Sequence, residues 1–134
     1  MEGVNTNELL IVTAAREIRD KEKVFIGTFW PIPVAMLAKK SHAKEIIMFM
    51  EGGIITEEAP PRIPLVASDP CLATVSVLAG DILDTLGAAV HGGQIDVALL
   101  SANNIDQYGN INTTCIGPYL NPKVRMAGSG GACD

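Results

Sequence analysis

Aromatic residues are scarce in this chain, with three Phe, two Tyr and one Trp among 134 residues. A groove for single-stranded nucleic acid uses aromatic platforms and a basic stripe. The chain has neither: its net charge is −5, and Lys21-x-Lys23 and Lys39-Lys40 are isolated pairs. Nucleic acid is therefore not an expected partner. A long apolar run is also missing, and nothing in the chain approaches the ~20 residues of a membrane-spanning helix. No membrane association is expected. The amino terminus shows no positive segment followed by an apolar stretch and a small-residue cleavage site, so a cytoplasmic setting is expected. Cysteine is sparse: Cys71, Cys115 and Cys133 are odd in number, widely spaced and without a Cys-x-x-Cys pair. That usage fits reduced thiols rather than a disulfide framework or a zinc site. His42 and His91 lack metal-ligand spacing and read as surface or loop residues, so no metal site is expected.

What the chain does have is aliphatic. Hydrophobic residues make up 48% of it, enough for one domain over residues 1–134 with a single core. Asn5 and Glu8 form a capping pair ahead of Ile11, Ala15 and Ile18, which predicts a helix over 6–20. Val24-Phe25-Ile26 reads as a short buried strand. Pro31 and Pro33 open a helix that runs to Lys40, and Ile46 to Met50 is a second buried strand. Strand, helix and strand in this order make a βαβ unit. Four prolines between 54 and 70 predict an irregular loop, whose length suggests that it lines a site. A helix is expected over 71–88, with Leu78, Ile82 and Leu86 on one face. A strand is expected over 95–100, a tight reversal around Asp106-Gln107-Tyr108-Gly109-Asn110, and a last strand over 124–127. The alternation predicts an α/β fold with an open, mostly parallel sheet flanked by helices.

Glu51 closes the apolar run Ile46-Ile47-Met48-Phe49-Met50 and is followed at once by Gly52-Gly53. The carboxyl end of a parallel strand is where open α/β sheets bind ligands. A carboxylate there is either a solvated start of a loop, or paired or employed in chemistry. The glycine pair reads as a mobile element behind it. Glu57 and Glu58 are nearby but not at the strand end, and they read as solvating the loop. The second signal is Gly128-Ser129-Gly130-Gly131-Ala132. It is a tail, a turn, or a backbone cradle for a phosphate or an oxyanion. No Gly-Lys-Ser/Thr follows, and Ser129 lacks the glycine spacing of an esterase elbow.

Four segments together resemble the β subunit of glutaconate CoA-transferase, in family I of the CoA-transferases. They are Gly27-Thr28-Phe29-Trp30-Pro31 with Ala35 and Ala38-Lys39; Ile46-Ile47 with Glu51-x-Gly53; Ile105-Asp106-x-Tyr108-Gly109-Asn110-Ile111-Asn112-x-Thr114 with Ile116-Gly117; and Gly128-Ser129-Gly130-Gly131-Ala132. The resemblance covers the amino-terminal half of such a subunit, so the chain is expected to be truncated relative to it. It implies the open-sheet scaffold that CoA-transferases share with pentose-phosphate isomerases. It also implies a ping-pong exchange in which Glu51 attacks an acyl-CoA, passes through a mixed anhydride and becomes a glutamyl-CoA thioester. A second carboxylic acid, possibly dicarboxylic, then reverses the steps. By the same resemblance Gly128, Gly130, Gly131 and Ala132 form the oxyanion and CoA-binding loop. Gly52, Gly53, Gly27 and Thr28 are substrate-site candidates. Coenzyme A is a co-substrate rather than a bound cofactor, and an α subunit completes a hetero-oligomer. The alternatives are a CoA-ester hydrolase or decarboxylase component on the same scaffold, or a non-catalytic truncated chain that binds CoA esters or a partner.

Overall fold

The computed structural model describes residues 3–133, without the side chains of Ala132 and Cys133. Helix α1 spans Thr6–Arg16 and carries the expected capping box. Asn5 Oδ1 accepts from the Asn7 N–H at 3.0 Å, and Glu8 accepts from the Asn5 N–H at 3.2 Å. The helix stops short of residue 20: the Glu17 and Ile18 N–H groups turn to the Ala14 and Ala15 carbonyls at 3.1 and 3.3 Å, and the chain turns again at Lys21, whose φ is +70°. The Glu22 carboxylate accepts the Arg19 N–H in that turn at 2.7 Å.

Strand β1 (Lys23–Ile26), helix α2 (Pro31–Ser41) and strand β2 (Ile47–Met50) form the βαβ unit. β1 pairs in parallel with β2, and on its other side with β5 (Val97–Leu99). Asp96, directly ahead of β5, accepts the Lys23 N–H at 2.8 Å and so ties the start of β5 to the start of β1. Side chains alternate across the sheet. Val24, Ile26, Met48 and Met50 face α1 and α2, whereas Phe25 and Phe49 face the opposite layer with Leu86, Ala89 and Val90. Burial on both faces is why these strands read as unbroken apolar runs.

Two expectations are corrected beyond β2. The 54–70 stretch is not irregular throughout. Gly53, at φ +103°, reverses the chain so that β3 (Ile54–Thr56) pairs antiparallel with β2. Nor is 71–88 one helix. It comprises a 3-10 segment (Pro70–Val75), strand β4 (Ser76–Ala79) and a π-helix (Leu83–Val90). β4 adds antiparallel to β3, giving the sheet order β4-β3-β2-β1-β5. A ladder with a distant strand thus overrides the helical spacing of Leu78, Ile82 and Leu86, and these three share no helix face.

The chain then leaves the sheet for two small hairpins. β6 (Asn104–Ile105) pairs with β7 (Ile111–Asn112), and β8 (Cys115–Ile116) with β9 (Val124–Arg125). The first closes on the expected turn. Asp106 accepts the Tyr108 and Asn110 N–H groups at 2.8 and 2.9 Å, and the Asn110 amide at 2.7 Å. The Asn110 side chain, and then its backbone N–H, hold the Asp106 carboxyl below the usual carboxylate range.

Candidate active site

Three parallel strands deliver their carboxyl ends to one side of the sheet. The Glu51 N–H donates to the Ile26 carbonyl at 3.1 Å, and the Gly27 N–H to the Leu99 carbonyl at 3.0 Å. These bonds continue the ladders one residue past each strand. Gly27-Thr28, Glu51 and Leu100-Ser101 therefore lie side by side. A Cβ on Gly27 would stand 3.2 Å from the Leu99 carbonyl oxygen, which favours glycine at that crossing. The Ser101 hydroxyl donates to the Thr28 carbonyl at 2.9 Å and fixes the adjacent turn.

The glycine-rich end returns to the same place. The Met126 N–H donates to the Thr114 carbonyl at 3.0 Å and the Gly128 N–H to the Thr113 carbonyl at 2.9 Å. Gly128 and Gly130 take φ of +96° and +53°, conformations that favour glycine. The Gly131 N–H then donates to Glu51 Oε1 at 3.1 Å. A Cβ on Gly130 or Gly131 would stand 3.3 Å from that oxygen. Two signals 80 residues apart in sequence thus meet in one hydrogen bond.

Between them lies an open cleft of about 340 Å³. Gly27, Thr28, Glu51, Gly128, Gly130 and Gly131 line it, together with Phe29, Trp30, Ser101, Asn103 and Thr113 among others. Phe29 and Trp30 belong to the segment that carries the family resemblance, whereas Ser101, Asn103 and Thr113 carry no sequence signal that would mark them. Ala132 continues the glycine turn with its backbone. Its side chain, and the Cys133 thiol, fall outside the described residues.

Gly52 and Gly53 are not in the cleft lining, and they are not a loose hinge. A Cβ on Gly52 would lie 2.9 Å from the Ala67 carbonyl oxygen, and one on Gly53 would lie 2.7 Å from the backbone of Asp81. The pair packs the chain behind Glu51 against its surroundings. The loop that presses on Gly52 is itself clamped. Asp69, 5% exposed, receives two 2.8 Å bonds from the Arg62 guanidinium and 3.0 Å bonds from the Leu65 and Cys71 N–H groups. The Arg62 bonds, then the backbone donors, hold its carboxyl well below the ordinary range. Burial pushes the neighbouring Cys71 thiol up, which makes it a poor nucleophile. Thr85, fully buried on the π-helix, directs its hydroxyl at the Glu51 carbonyl from 3.4 Å and at the Ile82 carbonyl from 3.5 Å.

Glu57 and Glu58 are exposed. His42 is exposed at the end of α2, where its ring contacts the Ile18 carbonyl at 3.0 Å, and His91 is exposed past the π-helix. Among the described residues there is no cluster of three His, Cys, Asp or Glu suited to a metal ion, and no helix long and apolar enough to cross a membrane.

The coenzyme A transferase family model matches residues 7–134. The chain is 36% identical over 132 residues to the β subunit of the 3-oxoadipate CoA-transferase of Pseudomonas knackmussii, covering 98% of this chain and 50% of that one. It is 32% identical over 133 residues to the β subunit of the glutaconate CoA-transferase of Acidaminococcus fermentans, covering 93% of this chain and 48% of that one. The crystal structure of glutaconate coenzyme A-transferase from Acidaminococcus fermentans superposes with a TM-score of 0.79 at 30% identity, over 97% of this chain and 51% of that one. The chain spans about half the length of the curated relatives that it matches.

Proposed function

Because the chain belongs to the coenzyme A transferase family, we propose that it carries the nucleophile of a two-subunit transferase that moves CoA between an acyl-CoA and a carboxylic acid. The observation that carries this reading is the hydrogen bond from the Gly131 N–H to Glu51 Oε1. A carboxylate at a strand end and a backbone donor aimed at it are the two parts that acyl exchange through a glutamyl ester requires.

The steps are those that the family resemblance implies, and this geometry is suited to them. Glu51 Oε2 attacks the thioester carbonyl, the C–S bond breaks, and CoA leaves as the thiolate with a mixed anhydride behind it. The thiolate then attacks the Glu51 carboxyl carbon. The bond from that carbon to Oε2 breaks, so Oε2 departs in the free carboxylate and a glutamyl-CoA thioester remains. A second carboxylate attacks that thioester and the sequence runs in reverse. Each time the Glu51 carboxyl carbon becomes tetrahedral, negative charge gathers on Oε1, where the Gly131 N–H already stands. No proton needs to be gained or lost.

The partner in this reading is an α-type subunit, and the assembly is a hetero-oligomer that completes the cleft. The setting is cytoplasmic, consistent with the free Cys71 and Cys115. The relatives bear the names of a 3-oxoadipate and a glutaconate transferase, so a dicarboxylic acid is the first acceptor to try. The test is borohydride reduction of the assembled enzyme after incubation with acyl-CoA, followed by peptide mass spectrometry. The expected result is a mass change on the peptide that contains Glu51. An active enzyme with Glu51 unmodified would shift the reading to hydrolysis or decarboxylation.

A further inference from the structure

Phe29 is held with φ at +70°, a left-handed conformation that is rare and strained for a bulky residue. Lys21 shares the angle, but it lies in the exposed turn ahead of β1, away from the cleft. Phe29 lines the cleft. Its neighbours fix it there: Ser101 holds the Thr28 carbonyl at 2.9 Å, the Ile32 N–H donates to the Phe29 carbonyl at 3.1 Å, and Pro31 opens α2 directly after. Burial does not offset the strain, since Phe29 is 69% exposed. Glycine would take the same angle at no steric cost. The fold therefore gains nothing evident from this side chain, and strain retained at such a position points to function.

Among the described residues that line the cleft, Glu51 carries the one charge. Thr28, Ser101, Asn103 and Thr113 add uncharged polar groups, and the aromatic surface comes from Phe29 and Trp30. On the transferase reading, the group that must approach Glu51 in every step is the acyl carbonyl with its chain. We propose that Phe29 is a specificity-determining residue whose ring forms the apolar wall against which the acyl chain packs, limiting the chain length that reaches Glu51.

The test compares Phe29→Gly and Phe29→Ala in the full-length chain assembled with its partner subunit. Turnover is measured with acetyl-CoA and with hexanoyl-CoA against one common acid acceptor. Both variants are expected to raise kcat/KM for hexanoyl-CoA relative to acetyl-CoA by about tenfold or more, the scale on which pocket contacts discriminate methylenes. Phe29→Gly is also expected to raise the Tm by a few degrees, and Phe29→Ala is not, because alanine keeps a Cβ in the left-handed region. An unchanged selectivity ratio with intact turnover overturns the proposal. So does weakened subunit assembly as the sole effect, which would make the ring a partner contact. Borohydride trapping on the wild-type enzyme runs in parallel. Turnover without a trapped Glu51 thioester refutes that mechanism while the selectivity ratio still judges Phe29. Absence of wild-type turnover on both acyl-CoAs overturns both.

Discussion

On the Glu51 side of the cleft the supporting residues are sealed: Val24, Ile26, Met48 and Met50 are all 0% exposed. On the glycine-loop side, Ile105, Tyr108 and Leu120 are 66%, 81% and 94% exposed. One wall rests on a packed core. The other rests on short hairpins, two backbone bonds from Met126 and Gly128, and the contact with Glu51 itself. A nucleophile must be placed within fractions of an ångström, and elements locked by packing do that better than loops. A loop that carries only a backbone donor can be set by hydrogen bonds. The two walls should therefore fail differently when altered.

The sharpest contrast comes from Glu51. Its side chain sits outside the packed layers, so Glu51→Ala should abolish transfer while far-ultraviolet circular dichroism and Tm stay near wild type. Transfer at the wild-type rate would sink the mechanism. Glu51→Asp keeps the charge but withdraws it by one methylene, away from the Gly131 N–H. A misplacement of that size costs about 100-fold, to be read in kcat. On the opposite wall, Gly131→Ala keeps the donor but adds a Cβ 3.2 Å from Leu86 Cδ2 and 3.3 Å from Glu51 Oε1. The loop must shift by a few tenths of an ångström, and kcat should fall by about 10- to 100-fold. KM should change less, because the displaced donor serves charge that develops during reaction. An equal loss in KM alone would show that the loop binds substrate and does not stabilise the reacting carboxyl.

A fourth variant moves to the support beneath Glu51. Asp69→Asn removes the charge from the clamp that presses Ala67 and Ser68 onto Gly52. The folded-state pKa of Asp69 is depressed, so its contribution is complete above the unfolded carboxyl value, about 4. It is lost progressively as the pH falls below that value toward the folded one. The wild-type Tm should therefore drop on acidification through this window, and Asp69→Asn should start lower at neutral pH and show a shallower acid decline. Parallel acid limbs in thermal melts would remove Asp69 from the account.

The same division between walls governs how much was legible in the sequence. β1, β2 and the Glu51 position could be read because strands buried on both faces leave continuous apolar runs. The glycine end could be read as a cradle or a turn, and only its resemblance to a family tied it to Glu51, since no local pattern encodes a contact across 80 residues. β4 was hidden because Ser76–Ala79 is short and its pairing with β3 is non-local, while Leu78, Ile82 and Leu86 mimic a helix. Gly52-Gly53 looked mobile because glycine marks either freedom or close approach, and the two differ only in what lies opposite. Phe29 lies in a segment that carries the family resemblance, but its strained backbone could not be read, because a positive φ at an aromatic residue has no sequence signature.

Thr85 gives the smallest and most discriminating prediction. It belongs to the π-helix, yet its hydroxyl is directed at the Glu51 carbonyl, so it links the opposite layer of the core to the Glu51 backbone. At 3.4 and 3.5 Å both of its contacts are long, and a net hydrogen bond contributes about 1 kcal/mol even when well formed. Thr85→Val keeps the shape, leaving the buried space filled. The Tm should then move little and kcat should fall by no more than a few-fold. A larger loss in kcat at unchanged Tm would show that Glu51 is positioned through its carbonyl as well as through the ladder to Ile26. A fall in Tm with unchanged kcat would confine Thr85 to packing, and would leave the two bonds at Glu51, its N–H to Ile26 and its Oε1 to Gly131, as the contacts that set its position.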